Sequence, residues 1–203
     1  MNKIVLVFIV GILTSFFYFP VTFVGFPVNS KIMLAVLGIL IFFITASRDG
    51  KMMFDNSLLA LTAFAVLFSF ICLASAIING TPDYTYATYF VSMWVWLGGA
   101  YSVCQFIKGL HGKISVELVS QYIVGVCVAQ CIIALAIDMV PAFKNLVDAI
   151  FVGQEFVESK NRLYGIGAAL DTAGTRFSIA LVLLAQLMTT VKEKANFYLP
   201  VYS

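Results

Sequence analysis

Residues 158–186 read ESKNRLYGIGAALDTAGTRFSIALVLLAQ, and they carry groups suited to gripping an anion. Arg162 and Arg176 bracket a loop of small residues with Gly165, Gly167, Gly174 and a lone Asp171, and an apolar run begins directly after Arg176. A guanidinium presents a planar fork of N–H donors that holds a phosphate or pyrophosphate bidentately. Glycine lets the backbone take positive φ and lets other groups come close. Thr172 or Thr175 is placed to cap the helix that follows, whose N-terminus carries partial positive charge beside Arg176. Two guanidiniums and a helix N-terminus suit a phosphate or pyrophosphate group. The purely structural reading has the arginines meet lipid head groups, or pair with Glu158 and Asp171. The spacing Gly165-Ile166-Gly167 is no dinucleotide fingerprint, because no strand precedes it and Leu170 stands where a third glycine is needed.

Other ionisable residues offer less. Asp138 lies near the end of an apolar run, and an ionisable group at membrane depth is a functional candidate. His111, the single histidine, falls in a polar connection and reads as a solvated loop residue, while Lys31 at the edge of an apolar run can snorkel to the interface. Cys72, Cys104, Cys127 and Cys131 all sit within apolar runs and read as small buried hydrophobes; no further metal ligands stand near them. No nucleophile–base constellation is visible. The residues support a binding feature better than a complete catalytic site.

The elements that position these groups are membrane helices. Of 203 residues, 62% are hydrophobic and 11% charged. Soluble domains carry about 25% charged residues, so the composition excludes an ordinary water-soluble fold. The net charge of +2 is too small to argue for nucleic acid. Crossing a bilayer takes about 20 mostly apolar residues. Six stretches qualify, at about 4–24, 28–46, 58–78, 87–107, 116–140 and 177–191, the last of them short. Tyr84, Tyr86 and Tyr89 cluster before the fourth as an aromatic belt does. Gln121, Gln130 and Gln186 are placed to hydrogen-bond between helices, and Gly98 and Gly99 to allow close helix contact. The expected fold is therefore all-α: a polytopic transmembrane bundle of about six spans, with helices 1–5 in 1–140, a loop at 141–176 and the sixth helix in 177–203. Lys192, Glu193 and Lys194 read as a polar break before the start of a further apolar run, as expected of the N-terminal portion of a longer protein.

Charge sets an orientation. Counted over alternate connections, Lys3, Arg48, Lys51, Lys108, Lys113, Lys192 and Lys194 fall on one side. The other side holds Lys31 and the four cations of the long loop, Lys144, Lys160, Arg162 and Arg176, which come with acidic partners. Short loops decide this count, so the N-terminus is expected in the cytoplasm and the loop 141–176 outside. Within that loop Phe143, Leu146, Val147, Ile150 and Phe151 recur at helical spacing opposite Lys144, Asn145 and Asp148. That pattern predicts a short interfacial helix with Pro141 in its first turn and Lys144–Asp148 as an i,i+4 pair.

Arg162-Leu163-Tyr164-Gly165-Ile166-Gly167, then Leu170-Asp171, Gly174 and Arg176-Phe177 ahead of an apolar helix, resemble the bacterial O-antigen polymerase and ligase superfamily of membrane glycosyltransferases. The specific match covers about 25 residues; elsewhere only the rhythm of spans agrees. The resemblance implies a multi-pass protein of the bacterial inner membrane. It implies an enzyme that takes glycan from an undecaprenyl-pyrophosphate carrier on the periplasmic face, without cofactor, nucleotide sugar or metal. Its partners are then the lipid-linked glycan, membrane lipids and other polysaccharide-assembly proteins, with no nucleic acid. Arg162 and Arg176 match the periplasmic arginines that hold the pyrophosphate in such proteins, with Asp138, Gly165, Gly167 and Asp171 as supporting residues. Family members carry more spans and a large second-half loop, another reason to expect an N-terminal portion here. Two other classes stay open: a transporter or flippase module for a lipid-linked or anionic substrate, and a non-catalytic membrane scaffold. A transporter should show an internal repeat, and none is convincing between 1–107 and 108–203.

Overall fold

The computed structural model describes residues 2–49, 56–82, 84–152, 164–167 and 170–198. Among these it is all-helical, with seven α-helices: α1 Lys3–Tyr18, α2 Ser30–Asp49, α3 Asn56–Ile78, α4 Tyr89–His111, α5 Val116–Met139, α6 Pro141–Ile150 and α7 Leu170–Tyr198. A single 3-10 turn, Tyr86–Thr88, leads into α4. Five of the helices, α2 to α5 and α7, are long and apolar enough to cross a membrane. At most 28% of any spanning window is buried, so these helices turn most of their apolar surface outward. Soluble monomers rarely expose apolar patches on that scale; a bilayer solvates them. Hydroxyls on the helices are satisfied locally: Thr14 donates to Val10 O, Thr45 to Ile41 O and Thr62 to Leu58 O, each at 2.8 Å. Such back-bonding is what a hydroxyl without water requires.

The helix boundaries depart from the sequence-based ones where proline and capping intervene. The first run was expected to reach residue 24, but α1 stops at Tyr18, leaving 16 residues. Pro20 is the cause: it lacks an N–H and disfavours helical geometry at Phe19, whose φ and ψ are −118° and 82°. The segment that follows is a loop, clipped to the end of α6 by Val24 N donating to Ile150 O (2.9 Å) and Val152 N donating to Thr22 O (2.8 Å). The last helix was expected to start at 177, but α7 is already formed at Leu170 and continues through Lys192–Lys194 to Tyr198. The expected polar break therefore lies within a helix, because long charged side chains are good helix formers. The interfacial helix is present as α6, with Pro141 at its start and Lys144 Nζ 4.0 Å from Asp148 Oδ2.

The chain divides into two compact units, 1–31 with 103–203, and 32–102. In the second, α2 and α4 cross at Gly38 and Gly98: a Cβ on Gly98 would sit 2.9 Å from Ala35 O, and one on Gly38 would run into Gly98 O. The Gly98 expected to permit close helix contact does so. In the first unit α5 is central, packing against α7, α1 and α6. Three clusters hold it together. Val10 of α1 meets Val103 and Ile107 of α4. Phe19 meets Val126 and Cys127 of α5 and Ala173 and Ala180 of α7. Ile137 of α5 meets Val147 of α6 and Tyr164. Between helices in lipid such clusters gain little from the hydrophobic effect and hold by close packing and interhelical hydrogen bonds, worth roughly 0.6–2 kcal/mol each.

Candidate functional site

One end of the first unit gathers the C-terminal end of α1, the loop 19–29, the first residues of α2, the end of α6, residues 164–167 and the beginning of α7. Phe19 organises it. Its ring is fully buried, and the Phe177 ring packs on it with centroids 5.5 Å apart. The Arg176 guanidinium carbon lies 5.7 Å from the Phe19 ring centroid, within cation–π range. The Tyr18 hydroxyl donates to the Arg176 carbonyl at 2.9 Å. Arg176 is thus held at backbone and side chain by two consecutive residues of α1's end.

Residues 164–167 are pressed into the same place. Gly167 has φ +70°, and a Cβ there would lie 2.6 Å from Phe19 O, 2.8 Å from Pro20 O and 2.8 Å from Val21 Cγ1. Only glycine satisfies both the left-handed backbone and that approach. Gln130 Nε2 donates to Ile166 O (2.9 Å) and to Ser15 Oγ (3.1 Å), tying α5 to the loop and to α1. Its Oε1 is buried without a hydrogen-bond partner among the described residues. The interhelical hydrogen bond expected of Gln130 is present. Tyr164 is buried, and its hydroxyl donates to Asp148 Oδ1 at 3.2 Å, fastening the loop to α6.

The expected site residues fare differently. Arg176 and Gly167 are brought together through Phe19, with the buried Gly165 close by in the chain. Arg162 and the side chain of Asp171 lie outside the described residues. Asp138 is exposed in the last turn of α5, and among the described residues it forms no hydrogen bond or ion pair with the cluster. Because α7 is formed by Leu170, Thr172 and Thr175 stand inside the helix rather than at the N-cap position, and Arg176 is more than a turn in. It projects from a helix rather than from a loop. His111 is the last residue of α4, not a solvated loop histidine: it is half-buried, with Nε2 3.0 Å from the Tyr122 hydroxyl. It borders an open, largely apolar groove of about 510 Å³ between α1 and α5, lined by Gly11, Ser15 and Tyr122 among others.

No family model, curated protein or solved structure matches the chain. The site therefore has to be read from its own chemistry. It offers a cation braced by an aromatic ring and a tight glycine loop at the end of a membrane-type bundle. Sequence reasoning missed Tyr18 and Phe19 because residues up to 24 were assigned to a continuous span. Pro20 in mid-run was the available signal.

Proposed function

We propose that the chain belongs to a polymerase or ligase of bacterial surface polysaccharide and supplies the part that holds the lipid pyrophosphate of the glycan donor. The observation that carries this reading is Arg176: its backbone is fixed by Tyr18, its guanidinium lies over Phe19, and Gly167 closes tightly beside it. A cation fixed in this way suits stabilisation of negative charge that grows on a leaving group, since little reorganisation is needed when the charge appears. In the reaction the acceptor hydroxyl oxygen bonds to the anomeric carbon of the donor glycan. The bond from that carbon to the pyrophosphate oxygen breaks, the electron pair leaves with the lipid pyrophosphate, and the hydroxyl proton passes to solvent. Arg176, with Arg162 as its expected companion, holds the departing pyrophosphate. The resemblance of residues 162–177 to O-antigen polymerases and ligases and the apolar helices support the same reading. The orientation expected from the charge count, with this end of the chain on the periplasmic face of the inner membrane, supports the same reading.

The test is genetic. Arg176→Ala and Arg162→Ala, each made in the chromosomal copy, are expected to shorten or abolish surface glycan chains while membrane levels of the protein hold. Glycan chains of normal length in both variants refute the assignment.

A further inference from the structure

The groove between α1 and α5 lies in the same unit as Arg176 but takes no part in its site. It measures about 510 Å³ and is largely apolar. Along α5 its lining extends from Gln121 to Ile133, about 18 Å at the helical rise of 1.5 Å per residue. The hydrocarbon core of a bilayer is about 30 Å thick, so the groove is about one leaflet deep. That length suits a lipid chain from one leaflet, whereas another transmembrane helix needs a face along the whole crossing. The floor is bare: Gly11 and Gly125 both line it, and a Cβ added to either meets nothing within 4 Å. Glycine inside a helix is unfavourable relative to alanine, and among the described residues no neighbour uses the room that these two leave.

The two ends of the groove differ. Near Ile133 the polar lining group is Ser15, which Gln130 Nε2 holds at 3.1 Å. At the other end stand Gln121 and the His111–Tyr122 pair, with Nε2 3.0 Å from the hydroxyl. Val10 packs on Val103 and Ile107, which sets the first half of α1 beside the end of α4. Three exposed lysines therefore fall at this mouth: Lys3 one turn before the lining Val7, Lys108 in the last turn of α4, and Lys113 in the turn between α4 and α5. Among the described residues none of the three forms an ion pair, and Glu117 in the first turn of α5 is the carboxylate at this end. Helix dipoles do not account for the set. Lys108 suits the negative end of α4, but Lys3 stands at the positive end of α1. Cations at a membrane boundary meet head groups in general; here an apolar slot leads into the bilayer from between them.

An apolar slot one leaflet deep with a basic mouth matches an acidic phospholipid in both length and charge. We infer that the groove between α1 and α5 binds one anionic diacyl phospholipid. One acyl chain lies over Gly11 and Gly125, the other stays in the bilayer, and the phosphate is held at the mouth by Lys3, Lys108 and Lys113. The charge count expects this mouth on the cytoplasmic side, so the lipid is one of the inner leaflet. The inference stands apart from the reading of Arg176, which is anchored to the far end of α1. A lysine near an anionic lipid is worth about fivefold in binding, so three together are worth up to roughly 100-fold.

The experiment is native mass spectrometry of the 203-residue chain released from mild-detergent micelles holding equal amounts of dioleoyl phosphatidylglycerol and dioleoyl phosphatidylcholine. The wild-type chain is expected to retain one phosphatidylglycerol in preference. The triple variant Lys3→Gln, Lys108→Gln, Lys113→Gln brings the two lipids to within about threefold of each other. Gly11→Leu and Gly125→Leu, which fill the groove, each release the lipid. Val128→Leu, exposed on α5 away from the groove lining, and Lys144→Gln on α6 behave as wild type. Circular dichroism shows equal helix content throughout; where a glycine variant loses it, the lysine variant decides alone. Equal retention of both lipids by the wild-type chain overturns the inference. So does a preference that survives in the triple lysine variant, or unchanged retention in folded glycine variants. A lipid-free species of two chains that Gly125→Leu splits also overturns it, because a second copy then covers the groove.

Discussion

Gly167→Ala isolates the packing on which the cation site depends. The new Cβ would meet two backbone oxygens, Phe19 O at 2.6 Å and Pro20 O at 2.8 Å, together with Val21 Cγ1 at 2.8 Å. The backbone oxygens of a buried aromatic and of the proline after it cannot swing away as a flexible side chain can. The left-handed backbone adds about 1–2 kcal/mol for a residue with a Cβ, and overpacking a well-filled site costs about 1–3 kcal/mol. Their sum, roughly 2–5 kcal/mol, is large enough to displace residues 164–167 from the end of α1. Gly174→Ala is the matched control: its Cβ meets nothing within 4 Å, and it lies inside α7. There alanine gains up to about 1 kcal/mol from helix propensity. Titrating the protein in mild-detergent micelles with a denaturing detergent, and following helix content, measures both variants. Gly167→Ala should unfold earlier and bind farnesyl pyrophosphate more weakly, and Gly174→Ala should unfold at the wild-type point or later. Gly167→Ala within about 0.5 kcal/mol of wild type would show that the loop does not pack on Phe19.

Two further outcomes are expected. Gln130→Leu leaves Ile166 O without its donor and cuts the tie between α5 and α1; it should cost about 1–3 kcal/mol in the same titration. In a cysteine-free background, Asn145→Cys should react with a membrane-impermeant maleimide added outside spheroplasts and Lys113→Cys should not, whereas the reverse pattern contradicts the charge-derived orientation.

Much of the helical architecture was legible because its signal is strong. Runs of about 20 apolar residues admit few alternatives in lipid, and the amphipathic spacing of Phe143 to Phe151 read directly as α6. The boundaries were less legible because they depend on local events inside apolar stretches. Pro20 ends α1 early although Val21, Phe23 and Val24 continue the apolar pattern, and hydropathy averages over such a break. The start of α7 was misplaced because Gly174, Thr172 and Thr175 favour a loop by propensity, while the packing of Ala173 and Phe177 against Phe19 holds them in a helix. Within the site, Arg176 and Gly167 stood out by residue type. Tyr18 and Phe19 did not, because their part is set by contacts across the fold that no local pattern encodes.

The Arg176 end of the bundle is proposed to recognise a lipid-borne pyrophosphate. The direct measurement is native mass spectrometry of the protein released from micelles containing equal amounts of undecaprenyl pyrophosphate and undecaprenol. The wild-type protein is expected to retain the pyrophosphate and not the alcohol, and Arg176→Ala to lose this preference. Equal retention of the two lipids by the wild-type protein, or an unchanged preference in Arg176→Ala, contradicts it.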